Sequence, residues 1–79
     1  MFEQDETLKA LQEALELSPE NDVLRSQLAR LLMGRGQLQE AEDLLREGLE
    51  KRSTSETLQA TLAECFRKRG NTSAGLVIL

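Results

Sequence analysis

The chain contains no His, Tyr or Trp. That removes the side chain that most often serves as a general base, and with it any Ser-His or Cys-His nucleophilic pair. The single thiol, Cys65, falls at helical spacing from Leu58, Leu62 and Phe66. It is therefore expected to pack among apolar side chains, where burial suppresses the thiolate, with a reactive thiol as the alternative. One cysteine permits no internal disulfide and gives no sign of an oxidising compartment. Carboxylates cluster at Glu3, Asp5 and Glu6 and at Glu40, Glu42 and Asp43, but without the spacing of a calcium loop, and no His or second Cys can complete a metal site. Their expected place is near helix starts, where the macrodipole favours negative charge. Gly34-Arg35-Gly36 is not followed by the Gly-Lys-Ser/Thr of a phosphate loop and reads as a chain break. No catalytic, cofactor-binding or metal-ligating residue is expected, and the chain is not read as an enzyme.

What must hold these residues is a small domain. The 79 residues, 39% apolar and 30% charged, suit one globular unit spanning residues 1–79. The longest apolar run, Leu76 to Leu79, is far short of the roughly 20 residues of a membrane span. The acidic N-terminus lacks the apolar stretch of a secretory signal, so a cytoplasmic location is expected. A net charge of −4 argues against nucleic acid as the ligand. The charge is also uneven. Between Met1 and Asp22 only Lys9 is basic against seven acidic residues, whereas Arg67, Lys68 and Arg69 are consecutive. Such asymmetry can orient a partner or a second copy of the chain.

Sliding the sequence along itself by 34 residues lays Leu24, Leu28, Ala29, Leu32, Arg35 and Gly36 on Leu58, Leu62, Ala63, Phe66, Arg69 and Gly70. The same shift lays Leu11, Ala14, Leu15 and Glu16 on Leu45, Gly48, Leu49 and Glu50. Within a period the apolar residues recur at three and four, as in Leu24, Leu28, Leu31 and Leu32 and again in Leu38, Ala41, Leu45 and Leu49. Two helices per period follow. Breaks and caps are supplied by Ser18-Pro19-Glu20-Asn21-Asp22, by Gly34 and Gly36, and by Ser53-Thr54-Ser55-Glu56 with the spacing of a capping box. Gly70-Asn71-Thr72-Ser73 repeats the glycine break. Helices are predicted near Asp5–Leu17, Asp22–Met33, Gln37–Lys51 and Glu56–Arg69, with a short fifth from Thr72 onward.

These residues resemble tetratricopeptide repeats, whose period is about 34 and whose pattern is Trp-x2-Leu-Gly-x2-Tyr, then Ala-x3-Phe, then Pro. Arg25-x2-Leu28-Ala29-x2-Leu32 and Gln59-x2-Leu62-Ala63-x2-Phe66 match its first part, Ala41-x3-Leu45 its second, and Pro19 its end. Both Trp positions are polar, one Tyr position is Leu, and Ser53 replaces a second Pro. The resemblance implies an all-α fold of antiparallel helix pairs, a short right-handed solenoid of four to five helices. Residues 1–19 would be the second helix of a first repeat, 20–53 a complete repeat and 54–79 a truncated last one. Ala29 and Ala63 would let paired helices approach while Leu28, Leu32, Leu62 and Phe66 fill the seam.

The resemblance also implies a function, the binding of a protein or peptide in a concave groove lined by the first helix of each pair. The matching positions are Val23, Ser26, Gln27, Arg30 and Met33, then Thr57, Ala60, Thr61, Glu64, Arg67 and Lys68. Within this set Arg30, Arg67 and Lys68 would hold carboxylates, while Gln27 and Thr61 would bond a partner's backbone, with Met33 and Glu64 beside them. The carboxylate clamp of the chaperone-binding members is not expected, because Gln27, Arg30, Thr61 and Glu64 replace its asparagines and lysines. One alternative is self-association, a homodimer formed through Leu76, Val77, Ile78 and Leu79. Another is a recruitment segment of a larger protein, since residues 70–79 are similar to a stretch in repeat segments that precede some bacterial ring-forming (AAA-type) ATPase domains.

Overall fold

The computed structural model describes the backbone of residues 2–77 and the side chains of residues 6–70. Four helices follow one another: α1 (Phe2–Leu17), α2 (Asp22–Gly34), α3 (Leu38–Lys51) and α4 (Glu56–Val77). The described residues contain no strand.

Local chemistry fixes the ends. The Asn21 side chain accepts the Leu24 N–H at 3.0 Å and starts α2. At the other end of α2, Gly36 takes φ 84°. There its N–H donates to Met33 O at 3.0 Å, and the Gln37 N–H to Leu32 O at 2.9 Å. This pair of bonds is the Schellman stop, and it needs a residue that tolerates the left-handed region. Before α4 the capping role belongs to Ser55, whose Oγ accepts the Leu58 N–H at 3.3 Å. The expected Ser53–Glu56 box does not form. Ser53 instead offers its carbonyl to Gln59 Nε2 at 2.7 Å. The break expected at Gly70 is also absent, because α4 continues to Val77 and takes in the start of the fifth helix. A helix-interior glycine costs only about 1 kcal/mol, and a glycine alone, without stop bonds of the kind made at Gly36, does not end a helix.

The period is visible in the bonding. The Asn21 cap recurs as the Ser55 cap, and the bond from Arg25 Nη2 to Pro19 O at 2.9 Å recurs as Gln59 Nε2 to Ser53 O. Helices α2 and α4 are thus equivalent, and α1 and α3 are their counterparts. The core comprises Leu15 from α1, Leu28, Ala29, Leu32 and Met33 from α2, Ala41 and Leu45 from α3, and Leu58 and Cys65 from α4. Helix α2 packs on all three others, α3 on α2 and α4, and α1 on α2 alone.

Two buried polar side chains hold this arrangement. Arg25 occupies the first position of the repeat pattern and is buried, with Nη1 donating to Leu44 O at 3.0 Å and Glu47 Oε1 at 3.1 Å. Glu42 is also buried, receiving Arg46 Nε at 2.7 Å and Arg69 Nη1. It therefore joins α3 to α4, a role that its expected place near a helix start did not foresee. Neighbouring side chains crowd Gly48 most tightly of the described glycines. A Cβ there would lie 2.6 Å from Arg25 Cδ and 2.8 Å from Leu58 Cδ1.

The apolar seam is unequal between repeats. Leu32 is 5% exposed, whereas Phe66, one period later, is 45% exposed, and Ala63 is exposed where Ala29 is fully buried. The expectation that Ala63 and Phe66 pack like Ala29 and Leu32 is corrected accordingly.

Candidate protein-binding face

Helices α2 and α4 lie side by side because short polar side chains close the seam between them. Ser26 and Thr61 share a hydroxyl–hydroxyl bond, and Thr61 Oγ1 also donates to Thr57 O at 2.9 Å. Both residues are buried, as is Met33. Three expected groove residues are thus corrected, since Thr61 has no exposed surface and cannot bond a partner's backbone, Ser26 is bonded into the seam, and Met33 is part of the buried core. Periodicity could not separate them from their neighbours, because α2 packs on helices along several sides and its buried arc is wider than one stripe.

Above the seam stand Val23, Gln27 and Arg30 of α2 and Thr57, Ala60, Arg67 and Lys68 of α4, all exposed, with Glu64 half-buried among them. Arg30 is committed within the chain. Its Nε reaches Glu64 Oε1 at 3.2 Å and its Nη2 reaches Oε2 at 2.9 Å, a two-point pair across equivalent positions of successive repeats. The hydrogen bonds from Arg30 hold the Glu64 carboxyl below its usual range, outweighing burial, with the charges of Arg30, Arg67 and Lys68 adding to the effect. The same contact raises the Arg30 guanidinium further above its already high value. Of the basic run, Arg69 is bonded to Glu42, and Arg67 and Lys68 place their charges near Glu64; all three are exposed.

On another side of the molecule α1, α2 and α3 enclose an open cleft of about 660 Å³. Its lining includes Leu15, Leu28, Leu32 and Leu44, with Glu16, Glu40, Asp43 and Glu47 also contributing. This cleft is not legible in the sequence, because its walls come from three helices and only their packing brings them together.

Burial pushes the Cys65 thiol up, the charge of Glu42 pushes it further, and Arg69 opposes both. Its Sγ points at Leu38 O, 3.5 Å away. This is the packing thiol expected from the apolar stripe. Among the described residues no cluster of three His, Cys, Asp or Glu side chains could hold a metal ion, and no helix is long and apolar enough to cross a membrane. The self-association expected of Leu76, Val77, Ile78 and Leu79 rests on side chains outside the described residues.

Comparison with curated proteins and with solved structures finds no match. A family model described as tetratricopeptide repeat matches residues 5–65, which covers α2, α3, most of α1 and the first part of α4. With a repeat visible in both its sequence and its capping bonds, the chain belongs to the tetratricopeptide repeat family.

Proposed function

We propose that this chain binds an extended, acidic segment of a partner protein across α2 and α4, with Arg67 and Lys68 as its charged contacts and Gln27 as a polar one. Members of the family are generally protein–protein interaction modules, and they are typically non-catalytic. What supports the reading is that Ser26, Met33 and Thr61 are buried while Gln27, Arg30, Arg67 and Lys68 on the same two helices are exposed. A rigid platform costs little ordering entropy on binding. The Arg30–Glu64 pair narrows the role given to Arg30, which orients Glu64 and stiffens the face instead of receiving the partner's carboxylate. Cytoplasmic residence remains part of this proposal. The recruitment reading draws no support from the described side chains.

The cleft between α1 and α3 favours a second reading. Its leucines and carboxylates suit a basic amphipathic helix. Immobilised acidic and basic peptides, probed with the parent chain and with an Arg67→Glu, Lys68→Glu double variant, separate the two. The first reading expects acidic peptides to be retained at low salt and lost, by at least about tenfold in Kd, in the variant with its helical circular dichroism intact. Equal retention by the variant removes it. Retention of basic peptides that is abolished by Asp43→Lys and Glu47→Lys transfers binding to the cleft.

A further inference from the structure

Both ends of the helix stack present half of an interface that the molecule already contains. Helix α3 packs on α2, and there Leu28, Ala29 and Leu32 are buried. One period later α4 offers Leu62, Ala63 and Phe66, yet Ala63 is exposed and Phe66 is 45% exposed, its ring covered in part by the Arg46 guanidinium 5.7 Å from its centroid. Among the described residues no helix packs on α4 as α3 packs on α2.

At the opposite end stands a helix of the missing type. Helix α1 is the counterpart of α3, and Ala10 and Ala14 correspond to Leu44 and Gly48. On α3 those two positions meet the preceding helix, through the Leu44 carbonyl bonded to Arg25 and the close approach of Gly48 to Arg25 Cδ. On α1 no preceding helix exists within the described chain, leaving Ala10 exposed and Ala14 half-buried. Leu17 continues the same stripe at i, i+4, i+7 spacing and is 86% exposed. The helices also differ in charge, since α1 carries Glu6, Glu13 and Glu16 on its surface and α4 carries Arg67 and Lys68 next to Phe66.

We infer that a second copy of this chain docks head to tail, its α1 laid on the Leu62–Ala63–Phe66 face of α4 as α3 lies on α2. Three observations name the occupant: continuity with the α2–α3 interface at the same period, opposite charge, and small residues on α1 where close approach is needed. One contact can be drawn from the repeat. Gln59 stands where Arg25 does, and Glu13 and the Ala10 carbonyl stand where Glu47 and the Leu44 carbonyl do. The interface joins two different surfaces, so each docking leaves an α1 face and an α4 face open for another copy. This is distinct from a homodimer through Leu76–Leu79, and it uses Arg67 only as part of the charge beside Phe66 and Gln27 not at all.

Sedimentation across a concentration series on the whole chain tests the inference with two end-blocking variants, Phe66→Glu and Leu17→Glu, both at exposed positions. The parent is expected to pass through dimers to larger species as concentration rises. Each variant alone is expected to be monomeric with unchanged helical circular dichroism, and Ala63→Glu is expected to reproduce Phe66→Glu. An equal mixture of Phe66→Glu and Leu17→Glu chains is expected to form dimers and nothing larger, because one intact α1 face meets one intact α4 face. A parent that stays monomeric, a mixture that stays monomeric, or assembly that survives both variants but is lost in Leu76→Asp overturns it.

Discussion

Two guanidiniums on α2 show how little a residue type settles without its neighbours. Arg25 is buried, bonded to the Pro19 and Leu44 carbonyls and to Glu47, and fastens the α1–α2 turn to α3. Arg30 is exposed and spends its Nε–Nη2 edge on Glu64. The sequence offered Arg30 as a binding residue and Arg25 only as a departure from a Trp pattern, because pairing depends on which helix comes alongside. The Arg30–Glu64 pair has a pH signature. The Glu64 carboxyl is depressed in the folded chain, so its contribution is complete above the unfolded value, near 4.5, and is lost as pH falls through the lower folded value. In Glu64→Gln that contribution is missing at neutral pH. Urea midpoints of parent and variant should therefore differ at pH 7 and converge in acid, with a gap of less than about 1 kcal/mol because the pair is solvated. A gap independent of pH would show that the bond does not depend on ionised Glu64.

At the scale of the element, the four main helices were legible because apolar spacing, Pro19, Asn21 and Gly36 all agreed on where helices start and stop. The misreadings have local causes. Ser53 and Ser55 both precede α4 and only backbone geometry chooses between them, while Gly70 lacks the bonds that make Gly36 a stop. Gly48 is the position whose importance spacing concealed, since a small residue on a helix face looks the same whether or not another helix presses on it. Replacing it with Ala should raise helix propensity by about 1 kcal/mol. The new methyl, however, would meet Arg25 Cδ at 2.6 Å and Leu58 Cδ1 at 2.8 Å. Arg25 is pinned by three bonds and Leu58 is fully buried, so neither can move aside cheaply. Overpacking of this kind costs about 1–3 kcal/mol, and we expect a net loss of about 1 kcal/mol in urea unfolding. A gain in stability would mean that the α2–α3 approach is looser than these distances indicate.

For the whole molecule, a stack of helices is held by contacts between neighbours, so its ends are expected to open more readily than its middle. Helix α2 packs on three helices and α4 on two, and α4 carries the exposed Ala63 and Phe66 on its outer side. Cys65 lies on the inner side of α4, fully buried. Its thiol can therefore report when α4 leaves the stack. If α4 detaches before the rest, labelling of Cys65 by a thiol reagent should depend less steeply on urea than the global loss of helix does, because less surface is exposed in the partial opening. If the molecule unfolds as one unit, the two slopes coincide. Head-to-tail docking adds a further condition that peptide capture does not, since a second copy on α4 must suppress the partial opening. Labelling of the parent should then slow as protein concentration rises, whereas in Phe66→Glu it should not. A concentration-independent rate in a parent shown by sedimentation to assemble would place the contact between copies somewhere other than α4.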